Sequence, residues 1–274
     1  VPAIFTGDMY HGYEDIPAEA IIDTEIAYKE YFENPEILHF AISGNHDFIA
    51  RNSYKNRSKS SLHKFEAIFN TFKLLDYKVG EVKGMTLFGI PYNNGNVDLL
   101  KFLKKYKNRG SKHKYLKILM LHTDWPGAKD TSGYELGSYD NIDKKVEKYL
   151  KEYDLILCGH IHKHQIINHM IMVGAPNQQR ISDIGNEMGV LILYDDLTVK
   201  MVEVPGVPKF VEYTGIKPKG IDMYIKIEEK TQEEEESEIK SYSDISNPKH
   251  VGKAYLKHKK IKSKSKKRTL IELL

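Results

Sequence analysis

The chain has 274 residues, 41% hydrophobic and 29% charged, with a net charge of +3, which suits a soluble globular protein with one substantial core or a core plus an appendage. No apolar run approaches the ~20 residues of a membrane span, and residues 1–7 lack the basic start and long apolar stretch of a signal peptide. The single cysteine, Cys158, excludes an intramolecular disulfide and suits a reducing compartment; within an apolar run it reads as a buried strand residue.

In chain order, residues 1–6 form an apolar strand ending in Gly7-Asp8, followed by Met9-Tyr10-His11-Gly12. The spacing predicts a helix over 17–32, opened by Pro17, with Ile21, Ile22, Ile26, Tyr28 and Phe32 on its apolar side. A strand over 37–42 leads into Ser43-Gly44-Asn45-His46-Asp47, then into a polar loop carrying Arg51, Lys55, Arg57 and Lys59. A short helix over 62–69, a hairpin over 79–92 and a basic amphipathic helix over 97–107 come next. A strand over 115–121 ends in His122-Thr123-Asp124-Trp125-Pro126-Gly127, and a helix is expected over 141–153. The strand over 155–158 ends in Gly159-His160-Ile161-His162. A hairpin over 165–173 precedes Gly174-Ala175-Pro176-Asn177-Gln178-Gln179-Arg180-Ile181-Ser182-Asp183, and strands over 189–194 and 198–204 follow. Pro205-Gly206-Val207-Pro208 reads as a hinge. Strand fragments over 210–213 and 223–227 lie beyond it. An acidic run over 228–238 then meets residues 249–268, which hold ten Lys or Arg and no acid; such opposed blocks are solvated segments or a tail with non-specific affinity for nucleic acid.

Helices alternating with strands, with hairpins later, predict an α/β sandwich with a mixed sheet and helices outside. Each polar cluster follows the carboxyl end of a strand, the edge where open α/β sheets bind ligands. Four strand ends offer Asp8, Asn45 with His46, His122, and His160 with His162. A carboxylate, an amide oxygen and imidazoles suit borderline divalent metals such as Mn, Fe or Zn, whereas Mg favours oxygen alone. Taken singly, each cluster also reads as an ordinary polar turn; the repeated strand-end context favours a metal centre.

Gly7-Asp8 with His11, Gly44-Asn45-His46-Asp47, His122, and Gly159-His160 with His162 resemble, in this order, the motifs of calcineurin-like metallophosphoesterases over residues 3–205. Within that superfamily the stretches at 122–127 and 174–183 resemble phage and bacterial SbcD-type recombination nucleases. The resemblance implies a sandwich of two mixed β-sheets flanked by helices, with its N-terminal strand absent and a small C-terminal appendage. It further implies a metallophosphoesterase domain over 1–205, a capping-like region over 206–245 and a basic tail over 246–274. It implies two divalent ions, Mn first and Mg, Fe or Zn as alternatives. Asp8 bridges them, Asn45, His122 and His160 complete one, and His162 binds the other. It implies that His46 protonates the leaving oxygen with Asp47 holding it, and that His11 faces the substrate. Arg51, Lys55 and Arg57 are read as DNA phosphate contacts beside the site. An Asp-x-His motif expected upstream of Asp8 is missing from these residues. The expectation is therefore better binding of the Asn45/His122/His160 metal than of the other, and weak or no nuclease activity.

The implied function is a metal-dependent DNA exonuclease and endonuclease of recombination and repair in a bacterial or phage-infected cytoplasm. Its implied partners are DNA, an ATPase of the structural-maintenance-of-chromosomes (SMC) type and a second copy of the chain, with no membrane contact; the apolar end 270–274 reads either as a segment that docks on a partner or as a frayed, unbound end. Two other readings remain at this point: a phosphatase or phosphodiesterase on a small molecule or protein, and a non-catalytic scaffold using the same fold.

Overall fold

Strands rich in Leu, Ile and Met with no alternation of polar residues must be covered on both faces, and the central sheet shows how. It has six strands in the order β4 (Val79–Val82), β5 (Met85–Ile90), β6 (Leu116–His122), β7 (Leu155–Gly159), β9 (Met170–Met172) and β8 (Gln165–Ile167). Neighbours from β5 to β9 run parallel, and the edge strands β4 and β8 run antiparallel. One face carries Phe88, Leu119, Leu121, Ile156 and Cys158. It packs on Leu99, Phe102 and Leu103 of α3 (Asn96–Tyr106) and on Val146 and Leu150 of α4 (Lys144–Leu150). The opposite face carries Leu87, Ile118, Met120, Leu157 and Ile171.

That second face meets a smaller sheet of three parallel strands, β1 (Ala3–Phe5), β2 (His39–Ala41) and β3 (Phe72–Leu74), through Phe40, Ile42 and Leu75. The hairpin of β10 (Val190–Leu193) and β11 (Val199–Val202) packs Leu191, Leu193 and Val199 on the same cluster. The far face of the small sheet is closed by Leu62 and Phe65 of α2 (Leu62–Ile68), together with Phe69, Tyr28 and Tyr10. The result is a layered α/β sandwich with helices outside, as expected from the alternation of elements, and with two sheets inside, as the resemblance implied. The six-stranded sheet is mixed, and the three-stranded one is wholly parallel.

The computed structural model describes residues 2–10, 17–48, 60–92, 96–107, 115–137, 144–213, 216, 219 and 223–226. His11, Arg51, Lys55, Arg57, the acidic run and the basic tail lie outside the described residues. The chain divides into two compact units, Val1–Phe210 with Ile221–Met223, and Val211–Gly220 with Tyr224–Leu274. β12 (Phe210–Tyr213) and β13 (Met223–Lys226) pair as a two-stranded sheet. Among the described residues no helix is long and apolar enough to cross a membrane.

Two local expectations change. The helix expected over 17–32 is α1 (Ala18–Ala27) followed by a π-helical turn, Tyr28–Phe32. Its expected apolar side is mostly outside: Ile22, Ile26 and Phe32 are 53%, 56% and 48% exposed, and Tyr28 alone is buried. Tyr28 is held inward by polar partners as much as apolar ones, since its hydroxyl lies between His39 Nδ1 (2.5 Å) and Thr71 Oγ1 (3.2 Å). The strand Phe72–Leu74 was not expected; three residues are too few to show a period, but their buried–exposed–buried pattern is that of a strand.

Candidate metal centre

The donors converge because parallel neighbours end at the same sheet edge. His122 closes β6 and pairs in register with Gly159 of β7, so His160 follows one step beyond and the two imidazole centroids lie 5.1 Å apart. Opposite them, parallel β1 and β2 deliver Asp8 and Asn45. The chain segments approach so closely that only glycine fits at Gly7, Gly44 and Gly159. Gly7 has φ +99°, and a Cβ there would lie 2.3 Å from His122 Nδ1 and 2.7 Å from the Gly44 nitrogen. A Cβ on Gly44 would lie 2.1 Å from Asp8 Oδ1. Asp8 and His160 themselves take φ values of 58° and 84°, left-handed conformations that cost of order 1 kcal/mol or more and gather at functional sites.

One ligand atom from each of Asp8, His122 and His160 lies within 4.8 Å of the others. Asn45 joins them: its Oδ1 is 3.0 Å from His122 Nε2 and 2.9 Å from His160 Nδ1. Asp8 Oδ2 is 3.2 Å from His122 Nε2. His122 is 1% exposed, and its Nδ1 donates to the Thr6 carbonyl at 2.6 Å. A carbonyl only accepts, so the Nδ1 proton is fixed and the neutral ring turns an Nε2 lone pair towards two oxygens. His160 repeats the pattern, with Nε2 3.2 Å from Asp124 Oδ1 and Nδ1 at the Asn45 oxygen. Four acceptor atoms facing one point repel one another unless a cation sits among them. Without a metal that cation is a proton. Burial opposes charge on His122, but the adjacent Asp8 carboxylate outweighs it and raises the imidazole pKa. Burial likewise works against Asp8, and His122 outweighs it, lowering the carboxyl pKa. A divalent cation satisfies the same geometry, with Thr6 and Asp124 as outer partners that orient the rings.

Asp47 is fully buried and gathers backbone N–H groups. Oδ2 accepts from Asp8 and Gly44 (both 2.8 Å), and Oδ1 accepts from Tyr10 (3.2 Å). It ties the Asp8 loop to the Gly44 loop, a role that residue type alone did not reveal. Burial, with the Asp8 charge next, pushes its carboxyl up to about 7. His46 sits between these residues, its backbone N–H donating to Asp8 Oδ1 at 2.9 Å. Behind the loop, Asp76 accepts both the N–H (2.8 Å) and the hydroxyl (2.7 Å) of Ser43. The Ser43 carbonyl accepts from Tyr92 N–H, and the Tyr92 ring packs 6.1 Å from His122 and 5.6 Å from His160. His162 is not among the converging donors; its Nδ1 lies 3.7 Å from Asp183 Oδ2, and the Asp8 charge acts on its ring. Asp124 and Asp183 both lie inside stretches that the sequence marks, whereas the Thr6 carbonyl leaves no signal in residue type.

No curated protein matches the chain. Among solved structures it is similar to a Staphylococcus aureus protein named as a 5'-nucleotidase, crystallised with alpha-ketoglutarate. The identity is 12% and the TM-score 0.30, over 74% of this chain and 52% of that one, so the chain spans about half that protein's length. Residues 3–164 match the calcineurin-like phosphoesterase family; this match covers more than half of the chain and all four donor-bearing strand ends, and the chain therefore belongs to that family of divalent-metal-dependent phosphoester hydrolases.

Proposed function

We propose that the chain hydrolyses phosphodiester bonds in DNA, as an exonuclease at duplex ends and an endonuclease on single strands, with manganese as its preferred ion. The observation that carries the hydrolytic part is the convergence of Asp8 Oδ2, Asn45 Oδ1, His122 Nε2 and His160 Nδ1 on one point. These four would hold one cation, and Asp8 with His162 would supply donors to a second. When bound, divalent ions polarise phosphoryl oxygens, lower the pKa of a water and stabilise charge in an in-line displacement. His46 supplies the proton for the leaving oxygen, a task suited to a group titrating near neutrality. Asp47 keeps Asp8 and Gly44 in register by holding both their N–H groups. Tyr92 walls one side of the two ligand histidines.

Support for DNA as the substrate is of a different kind. Phe48 and Ser60 are joined by an antiparallel bridge, and Ser61 N–H bonds the Asp47 carbonyl at 2.9 Å. In the sequence the stretch between Phe48 and Ser60 carries Arg51, Lys55, Arg57 and Lys59, and cations of this kind contact phosphates. His11 facing the substrate, an SMC-type ATPase and a second copy of the chain as partners belong to the same reading.

The test is a substrate panel with manganese: linear duplex DNA, circular single-stranded DNA, cyclic nucleotides and an aryl phosphate monoester. Cleavage of both DNAs, lost in His46→Ala and weakened with a flatter salt dependence when Arg51, Lys55 and Arg57 are neutralised, supports the proposal. Turnover confined to the monoester or the cyclic nucleotides overturns the DNA assignment. Partner binding unchanged in His46→Ala, with no turnover of any substrate, would indicate a scaffold.

A further inference from the structure

Residues 174–185 drew attention in the sequence, and the four-donor centre does not use them. They contain a short 3-10 turn, Ile181–Asp183. Asp183 is 0% exposed. Its Oδ2 accepts the N–H groups of Gln179 (2.8 Å) and Arg180 (2.9 Å). Those two bonds explain an oxygen at this place, but not an ionisable group; an asparagine oxygen would accept both without a buried charge. The other oxygen, Oδ1, is also buried and accepts no hydrogen bond. A buried polar atom without a partner is uncommon enough to require a reason. Next to this carboxylate stands the partly buried His162, Nδ1 3.7 Å from Oδ2, in the field of Asp8.

We infer that Asp183 is a positioning residue for His162: its carboxylate, 3.7 Å from Nδ1, favours the proton on that nitrogen and so selects the tautomer whose Nε2 lone pair is left for a divalent cation. This rests on the assignment of His162 as a cation ligand above. A neutral imidazole carries one N–H, and the nitrogen facing a carboxylate keeps it, so the carboxylate chooses which nitrogen is left to coordinate. The same arrangement holds at His160, where Asp124 faces Nε2, and at His122, where the Thr6 carbonyl faces Nδ1. Asp183 extends this pattern to His162 and accounts for a carboxylate where the turn needs only an amide oxygen.

Asp183→Asn separates this role from a structural one. The amide oxygen keeps the Oδ2 place with both backbone bonds of the turn and still faces His162 Nδ1, but it carries no charge, so the electrostatic preference for a proton on Nδ1 is lost. With the full chain, manganese binding is titrated by the electron paramagnetic resonance of the free ion, and the ring tautomer is read from nitrogen-15 NMR of labelled histidine. The expected result for Asp183→Asn is a loss of one ion's affinity of ~10–100-fold, a smaller Nδ1-protonated fraction of His162 and a melting curve in EDTA close to the parent. Unchanged manganese affinity overturns the inference. If the variant does not fold, the parent decides: an Nδ1-protonated His162 supports the inference and an Nε2-protonated one overturns it. His162→Ala locates the failure. Weaker binding there with no change in Asp183→Asn defeats the positioning role alone, and unchanged binding in His162→Ala defeats the ligand assignment and this inference with it.

Discussion

Asp47→Asn in the metal-free protein tests the electrostatics of the centre directly. Asp47 is fully buried, and its carboxyl is raised from 3.8 to about 7 by burial, with the Asp8 charge second. A carboxyl raised in this way holds its proton in the folded chain after the unfolded chain has lost it. Between pH 3.8 and about 7 the native state therefore binds more protons, and this group's contribution to stability falls as pH rises. The slope is ~1.4 kcal/mol per pH unit, so the loss between pH 5 and pH 8 is ~3 kcal/mol, incurred below pH 7. Asparagine has no such slope. Its oxygen can keep the bonds from Asp8 and Gly44, while its NH2 group faces the Tyr10 N–H, a penalty of ~1–3 kcal/mol that does not depend on pH. Urea unfolding in EDTA, followed by far-UV circular dichroism at pH 5 and pH 8, should show the variant gaining ~3 kcal/mol on the parent between the two. Saturating manganese should shrink that gain, because a cation beside Asp8 offsets the charge that opposes ionisation of Asp47. A parent–variant difference that is the same at both pH values, within ~0.5 kcal/mol, would refute the reasoning.

Two further outcomes follow from the packing. Gly44→Ala places a Cβ 2.1 Å from Asp8 Oδ1 and 2.4 Å from the Asp8 backbone nitrogen; the strain of ~1–3 kcal/mol should lower the urea midpoint, and displacement of Asp8 should weaken manganese binding in calorimetry. Cys158 is 0% exposed and its thiol is pushed up to about 12, chiefly by burial. It should resist a thiol reagent at pH 8 in the native protein and react promptly in denaturant, and rapid native labelling would contradict its place in the core.

Whether a feature was legible in the sequence depended on what kind of atom carried it. The convergence of Asp8, Asn45, His122 and His160 was legible because these side-chain types are few and each follows an apolar strand. Parallel pairing of β1 with β2 and of β6 with β7 then brings the ends of separate strands to one edge. Cys158 was legible as core for the same reason, lying inside an uninterrupted apolar run. The partners that fix the donors were not legible. The Thr6 carbonyl that sets the His122 tautomer is a backbone atom, which any residue could supply. Asp47 was expected beside His46, yet its carboxylate takes three backbone N–H groups, an assignment that needs loop coordinates rather than residue identity. Tyr28 was expected on an apolar helix face; a π-turn and a polar pair with His39 bury it while Ile22 and Ile26 stay outside, because tertiary hydrogen bonds override helical periodicity. Coordinating chemistry is thus written in side-chain identity, while the geometry that makes it selective is held by backbone groups and by carboxylates that resemble turn formers. Asp183 belongs to the second class: in sequence it is one more Asp near a glycine, and only its complete burial beside His162 gives it a candidate role at the centre.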